Sequence, residues 1–210
     1  MQSLTALTRL LALGLLALLA SCASLNEDEC ITANWQTIGY EDGASGLPDT
    51  RIKAHREACA KHGISPNLAD YRKGHQQGLT AYCTAASGFN RARNGHEYQG
   101  VCPPSAEPDF LTGYQAGAKI YRAESHVSEL EAQLSDNAAE QQQLAEQLQH
   151  AETELFARHT SEAQQRAIYQ ETSQLKQRQG ALAQERDELI RELAHAQAWL
   201  DELRSHHHAY

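Results

Sequence analysis

Helix breakers are distributed unevenly along this 210-residue chain, and that distribution constrains the fold most. All five prolines and 12 of the 13 glycines precede residue 122, and only Gly180 follows it. Residues 122–210 are built from Gln, Ala, Glu and Leu, good helix formers with nothing to stop them. Charge divides at the same place. Residues 23–121 hold 11 acids and 9 bases, net −2, whereas residues 122–210 hold 16 acids and 8 bases, net −8. The sequence therefore predicts an all-α protein: a small Cys- and Gly-rich helical head over 30–122 and a coiled-coil tail over 123–205. Residues 206–210 are expected to form a disordered end. The acidic balance excludes nucleic acid as a partner and disfavours an anionic lipid surface.

The N-terminus sets the compartment. Arg9 precedes an apolar run of 11 residues, Leu10–Ala20, which has the length of a signal core and is too short to span a bilayer. It ends in Leu19-Ala20-Ser21-Cys22, which resembles the bacterial lipobox: small residues before the cut and a cysteine that takes a diacylglycerol. The expectation is a signal peptide over 1–21, lipidation of Cys22, and a short linker over 22–29. Several acyl chains, each worth about 0.8 kcal/mol per buried methylene, make such an anchor permanent. Ala23, where an aspartate would resemble an inner-membrane retention signal, points to the outer membrane.

An even count of four further cysteines, Cys30, Cys59, Cys83 and Cys102, in an oxidising compartment argues for two disulfides. Three connectivities are possible; Cys30–Cys59 and Cys83–Cys102 close the shorter loops. A metal reading competes. His55, Cys59 and His62 recur at i, i+4 and i+7, one helix face, with His75 and Cys83 following, and zinc accepts such ligands. His62-Gly63 equally has the form of a helix end.

The head repeats itself. Asp70-Tyr71, Gly74, Gly78 and Tyr82 recur as Asp109-Phe110, Gly113, Gly117 and Tyr121; Asn34-Trp35, Gly39 and Gly43 form a third copy with one extra residue. Asp or Asn at the front of each copy is expected to cap a helix. Glycines four apart share one face and admit either a second backbone or a ligand slot. The pattern from Trp35 through Gly39-Tyr40, Asp42-Gly43, His55, Cys59, Tyr71, Gly74, Gly78, Tyr82-Cys83, Gly88, Tyr98 and Cys102-Pro103 to Phe110, Gly117 and Tyr121 resembles a bacterial lipoprotein family, the domain of unknown function 2799. The resemblance implies a cell-envelope protein with a coiled tail and brings no catalytic residues. It also implies a basic residue, usually Arg, after the first repeat glycine, where His75 stands.

In the tail, Val127, Leu130, Leu134, Leu144, Leu148 and Leu155 form one apolar seam, interrupted by Asn137 and Gln141. Ile168, Leu175, Leu182, Leu189, Leu193, Leu200 and Leu203 form another, out of phase with the first. Ser161 and Gln164 between them match a capping box. Two antiparallel helices of about 55–65 Å are expected, at 1.5 Å per residue, with one unbroken helix as the alternative. No nucleophile elbow, zinc-protease helix or phosphate loop is present, so no catalytic residue and no cofactor is expected. His206-His207-His208 is a loose transition-metal candidate at most. The reading is a lipid-anchored periplasmic protein on the inner leaflet of the outer membrane. It would serve as a structural or interaction module engaging an envelope protein or a second copy through the tail. The alternative is a head that binds a small molecule or transition metal.

Overall fold

The computed structural model describes residues 24–157 and 160–206. The expected signal segment 1–21, the lipidation site Cys22, His159 and the terminal His207 and His208 lie outside the described residues. Among the described residues there are seven α-helices, one short 3-10 turn and no strand, the all-α class expected. None of these helices is long and apolar enough to cross a membrane. The chain divides into two compact units, Met1–Gln115 and Ala116–Tyr210. The division falls seven residues before the expected head–tail boundary between 122 and 123.

In the first unit α1 spans Glu27–Ile31, α2 Trp35–Ala44, α3 Ile52–Ala60, α4 Leu68–Tyr82 and α5 Ala85–Arg93; the long α6, Glu107–Leu155, begins there. Side-chain caps start most of these helices. Asn34 accepts from the backbone of Gln36 and Thr37, and Asn67 accepts from Ala69 and Asp70. The second cap corrects the repeat reading. Asp70 is not the cap; it lies in the first turn of α4, where a carboxylate faces the free amides and itself accepts from Asn67 at 2.7 Å. Asp109 likewise lies inside the first turn of α6. Pro108 is compatible with its place in the first turn of α6, where amides have no intrahelical acceptors, and Pro66 precedes the Asn67 cap, outside the helix.

The repeats are packing units. Helices α2 and α4 run side by side in the same direction with backbone against backbone. A Cβ on Gly39 would sit 2.0 Å from the Tyr71 carbonyl oxygen, and one on Gly74 would sit 1.8 Å from that of Gln36. Gly43 and Gly78 make the same close approach to His75 and Tyr40. A second crossing joins α5 to α6, where Gly88 meets the Phe110 carbonyl and Gly113 that of Ala85. The ligand slot considered along the glycine face is therefore filled by the partner helix. Each interior glycine costs about 1 kcal/mol of helix propensity, and close backbone contact offsets it.

Two disulfides staple this unit. Cys30–Cys59 joins α1 to α3, and Cys83–Cys102 ties the end of α4 to the loop before α6. The second lies in a core with Tyr82 and Phe110, onto which Tyr98 and Tyr114 pack. Phe110 is fully buried, 4.6 Å from the Tyr98 ring and 5.0 Å from the Tyr82 ring, centroid to centroid. Trp35, the aromatic of the third copy, is only half-buried. Gly46 combines two constraints: its φ is +74°, and a Cβ there would strike the Tyr82 ring.

The second unit is an antiparallel hairpin of α6 and α7, Glu162–His206. Three pairs fix its register: Glu124 with Arg204, Asn137 with Leu182, and Glu140 with Arg178. The unbroken-helix alternative is excluded. Ala123, Leu130, Asn137, Leu144 and Ala151 are buried at heptad spacing along α6, opposite Leu182, Leu189, Leu200 and Leu203 of α7. The capping box starts α7, the Ser161 amide donating to Gln164 Oε1 at 2.8 Å and the Gln164 amide donating back to Ser161 Oγ at 3.4 Å. Helix α7 continues through His206, so the first residue of the end expected to be disordered is helical.

Candidate functional site

The polar chemistry of the head gathers where α2, α3 and α4 meet. Asp42 lies on the glycine face of α2, three residues past Gly39, so the close crossing carries its carboxylate inward. His55 comes from α3, Tyr71 and His75 from α4; all four side chains are buried. Both His55 Nε2–H, at 2.8 Å, and the Tyr71 hydroxyl, at 2.7 Å, donate to Asp42 Oδ2. The second imidazole nitrogen, Nδ1, is 3.1 Å from Ser24 Oγ. Tyr71 stacks on His75 at 6.0 Å and meets His55 edge-on at 6.1 Å.

The charges follow from this geometry. Burial pushes the Asp42 carboxyl up, but hydrogen bonds from His55 and Tyr71, with the positive charge of His55 and Arg51, outweigh it. The carboxyl lies below its ordinary 3.8. Burial, the Asp42 hydrogen bond and its negative charge all push the Tyr71 phenol far above its ordinary 10.0. A carboxylate inside the head is thus stabilised by donors from two other helices.

His75 bounds this cluster and opens on a cavity of about 490 Å³. Its Nε2–H donates to the Leu47 carbonyl at 2.7 Å. The cavity is walled by Arg72, His75, Gln76 and Leu79 of α4, by Pro48 and Asp49, and by the loop Gln99–Val101.

Of the residues singled out from sequence, His55 and His75 enter the cluster. His62 does not; it lies 3.6 Å from Glu27 on the outside. The proposed zinc face is dismantled by the disulfides, because Cys59 and Cys83 have no thiolate to offer. Among the described residues, no three His, Cys, Asp or Glu side chains group closely enough to hold a metal ion. Sequence reasoning missed Asp42 and Ser24. The signal for Asp42 was an acid on a face otherwise made of glycines; for Ser24 there was none.

Residues 34–119 match the family model described as "Protein of unknown function (DUF2799)". No curated protein and no solved structure matches the chain.

Proposed function

We propose that this chain, whose residues 34–119 match the DUF2799 family model, is a membrane-anchored periplasmic lipoprotein that acts as a structural or protein-interaction module of the cell envelope. The observation carrying the interaction part lies at the turn of the hairpin. The leucine seams are closed within the chain, yet Phe156 and Tyr169, on either side of the turn, are 82% and 71% exposed. A hairpin that needed no partner would gain nothing from large aromatic groups in water. Aromatic anchors of this kind are the side chains that dominate binding energy at protein interfaces.

The anchoring part rests on the Leu19-Ala20-Ser21-Cys22 junction and is supported by Ser24. Two residues beyond the lipidated cysteine, its hydroxyl meets His55, whose imidazole is held by Asp42. Carboxylate, imidazole and hydroxyl stand in the order of a hydrolase triad; in this reading they tether the anchor segment to the head. The partner in this reading is an envelope protein met by the tip, since the tail's negative charge opposes side-by-side packing of copies.

A photoreactive residue at Phe156 or Tyr169 tests the proposal in living cells. Crosslinks to one envelope protein, stronger than from Glu185 on the same helix, are expected. Equal or absent crosslinking at all three positions would overturn the interaction reading. A second reading, a small-molecule-binding head, is favoured by the cavity beside His75.

A further inference from the structure

We propose that the cavity beside His75 binds a small zwitterion, an amino acid or short peptide carrying both a carboxylate and an ammonium group. This names the ligand for the second reading above and rests on it.

The cavity carries opposite charges that the protein does not close on itself. Arg72 and Asp49 both line it, and neither forms an ion pair among the described residues. An unpaired guanidinium presents a planar fork that matches a carboxylate. The Asp49 carboxylate on the facing turn complements an ammonium. A purely anionic ligand such as a phosphate ester would meet Asp49 as a like charge.

His75 supplies the element that makes this a built site. It is only 5% exposed, and its Nε2–H is committed to the Leu47 carbonyl. Nδ1 has no partner among the described residues, yet no described buried side-chain nitrogen or oxygen is left unsatisfied. Nδ1 is therefore not sealed in the core, and the cavity that His75 lines is the opening beside the ring. With Nε2–H committed to Leu47, Nδ1 is the ring nitrogen left to meet an N–H or ammonium donor.

The remaining lining fits the same class. Gln76 and Gln99 each offer a donor and an acceptor, the pair of functions a peptide bond requires. Leu79 gives an apolar surface for a small side chain. At about 490 Å³ the space lies within the range of small-molecule sites.

The test is titration of the full chain with alanylalanine, followed by calorimetry and by backbone amide resonances. N-acetyl-alanylalanine, which lacks the ammonium, alanylalanine amide, which lacks the carboxylate, inorganic phosphate and glucose serve as comparisons. Saturable binding of alanylalanine is expected, with shifts at His75, Gln76 and Gln99. Each blocked dipeptide should bind about tenfold more weakly, the effect of losing one charge-assisted contact. Arg72→Gln should remove the preference for a free carboxylate, and Asp49→Asn that for a free ammonium; both residues are exposed, so both variants should fold. Binding by both variants with wild-type preferences would overturn the site. Saturation by phosphate or glucose but not by alanylalanine would overturn the zwitterion and leave a ligand-binding head. Binding of none of these probes would overturn both.

Discussion

A single glycine has opposite value in the two units, and the reason is what lies beside it. Gly74 has the Gln36 carbonyl 1.8 Å from where a Cβ would be, whereas Gly180 has nothing within 4 Å. Gly74→Ala should therefore destabilise the head by at least the ~1–3 kcal/mol typical of overpacking. Gly180→Ala should stabilise α7 by about 1 kcal/mol, the full difference in helix propensity. Denaturant melts followed by circular dichroism measure both; equal effects would mean that the α2–α4 crossing is looser than described. The buried carboxylate makes the stability of the head depend on pH. Asp42 lies below its ordinary 3.8 in the folded head, so its contribution is complete above that value and is lost as pH falls through the depressed folded value. Acid unfolding of the head should begin below about pH 4 and shift in Asp42→Asn. Tyr71 works in the other direction. Its phenol is raised, so its contribution is complete below about pH 10 and is lost as pH climbs beyond. Tyr98 is raised too, chiefly by burial, so absorbance at alkaline pH should show two tyrosines, Tyr71 and Tyr98, lagging behind the others.

Between residues and the whole chain, helices were legible to different depths. The tail was the clearest: seam spacing and the Ser161–Gln164 signature indicated two helices with a break, and both are present. Its register was not legible, because two leucine seams slide past each other at little cost until polar groups stop them. Asn137 does so here, donating its amide to the Leu182 carbonyl at 3.1 Å, with Gln141 bonded to Asn137 at 2.7 Å. Asn137→Leu should raise hairpin stability by about 1 kcal/mol, exchanging a hydrogen bond for apolar burial. The variant should also broaden the distance distribution between spin labels at Ala123 and Ser205. In the parent chain those labels should report the separation of neighbouring helices, about 8–10 Å plus the label arms. A much longer distance would overturn the hairpin. In the head, the repeat was visible as a pattern and misread in detail, Asp70 being taken for the cap that Asn67 provides. Asx caps depend on local backbone geometry, and two candidates three residues apart look equivalent until the chain turns.

For the molecule as a whole, covalent links decide what survives. The head is small, and its staples connect segments 29 and 19 residues apart. Purified protein should show no alkylatable thiol at Cys30, Cys59, Cys83 or Cys102 without prior reduction. Serine at either member of a pair should cost the head about 2–5 kcal/mol, the usual loss for a native disulfide in a small secreted domain. Free thiols in two or more positions would contradict the pairing. The anchoring proposal has its own test: Cys22→Ala should move the protein from the membrane fraction to the soluble one and change its gel mobility. Unaltered fractionation of that variant would sink the lipid anchor.

By itself the sequence determined the class of each element. Breakers placed in one half, heptad leucines in the other and an even set of cysteines leave few alternatives to a stapled helical head and a coiled tail, because propensity and periodicity act locally. Only the tertiary structure decided what the glycine faces meet, which cysteine finds which, and that Asp42, His55, Tyr71 and Ser24 converge. Those outcomes depend on contacts between residues tens of positions apart. There the balance between desolvating a carboxylate and surrounding it with donors is set by three helices at once, and no stretch of chain carries that information alone.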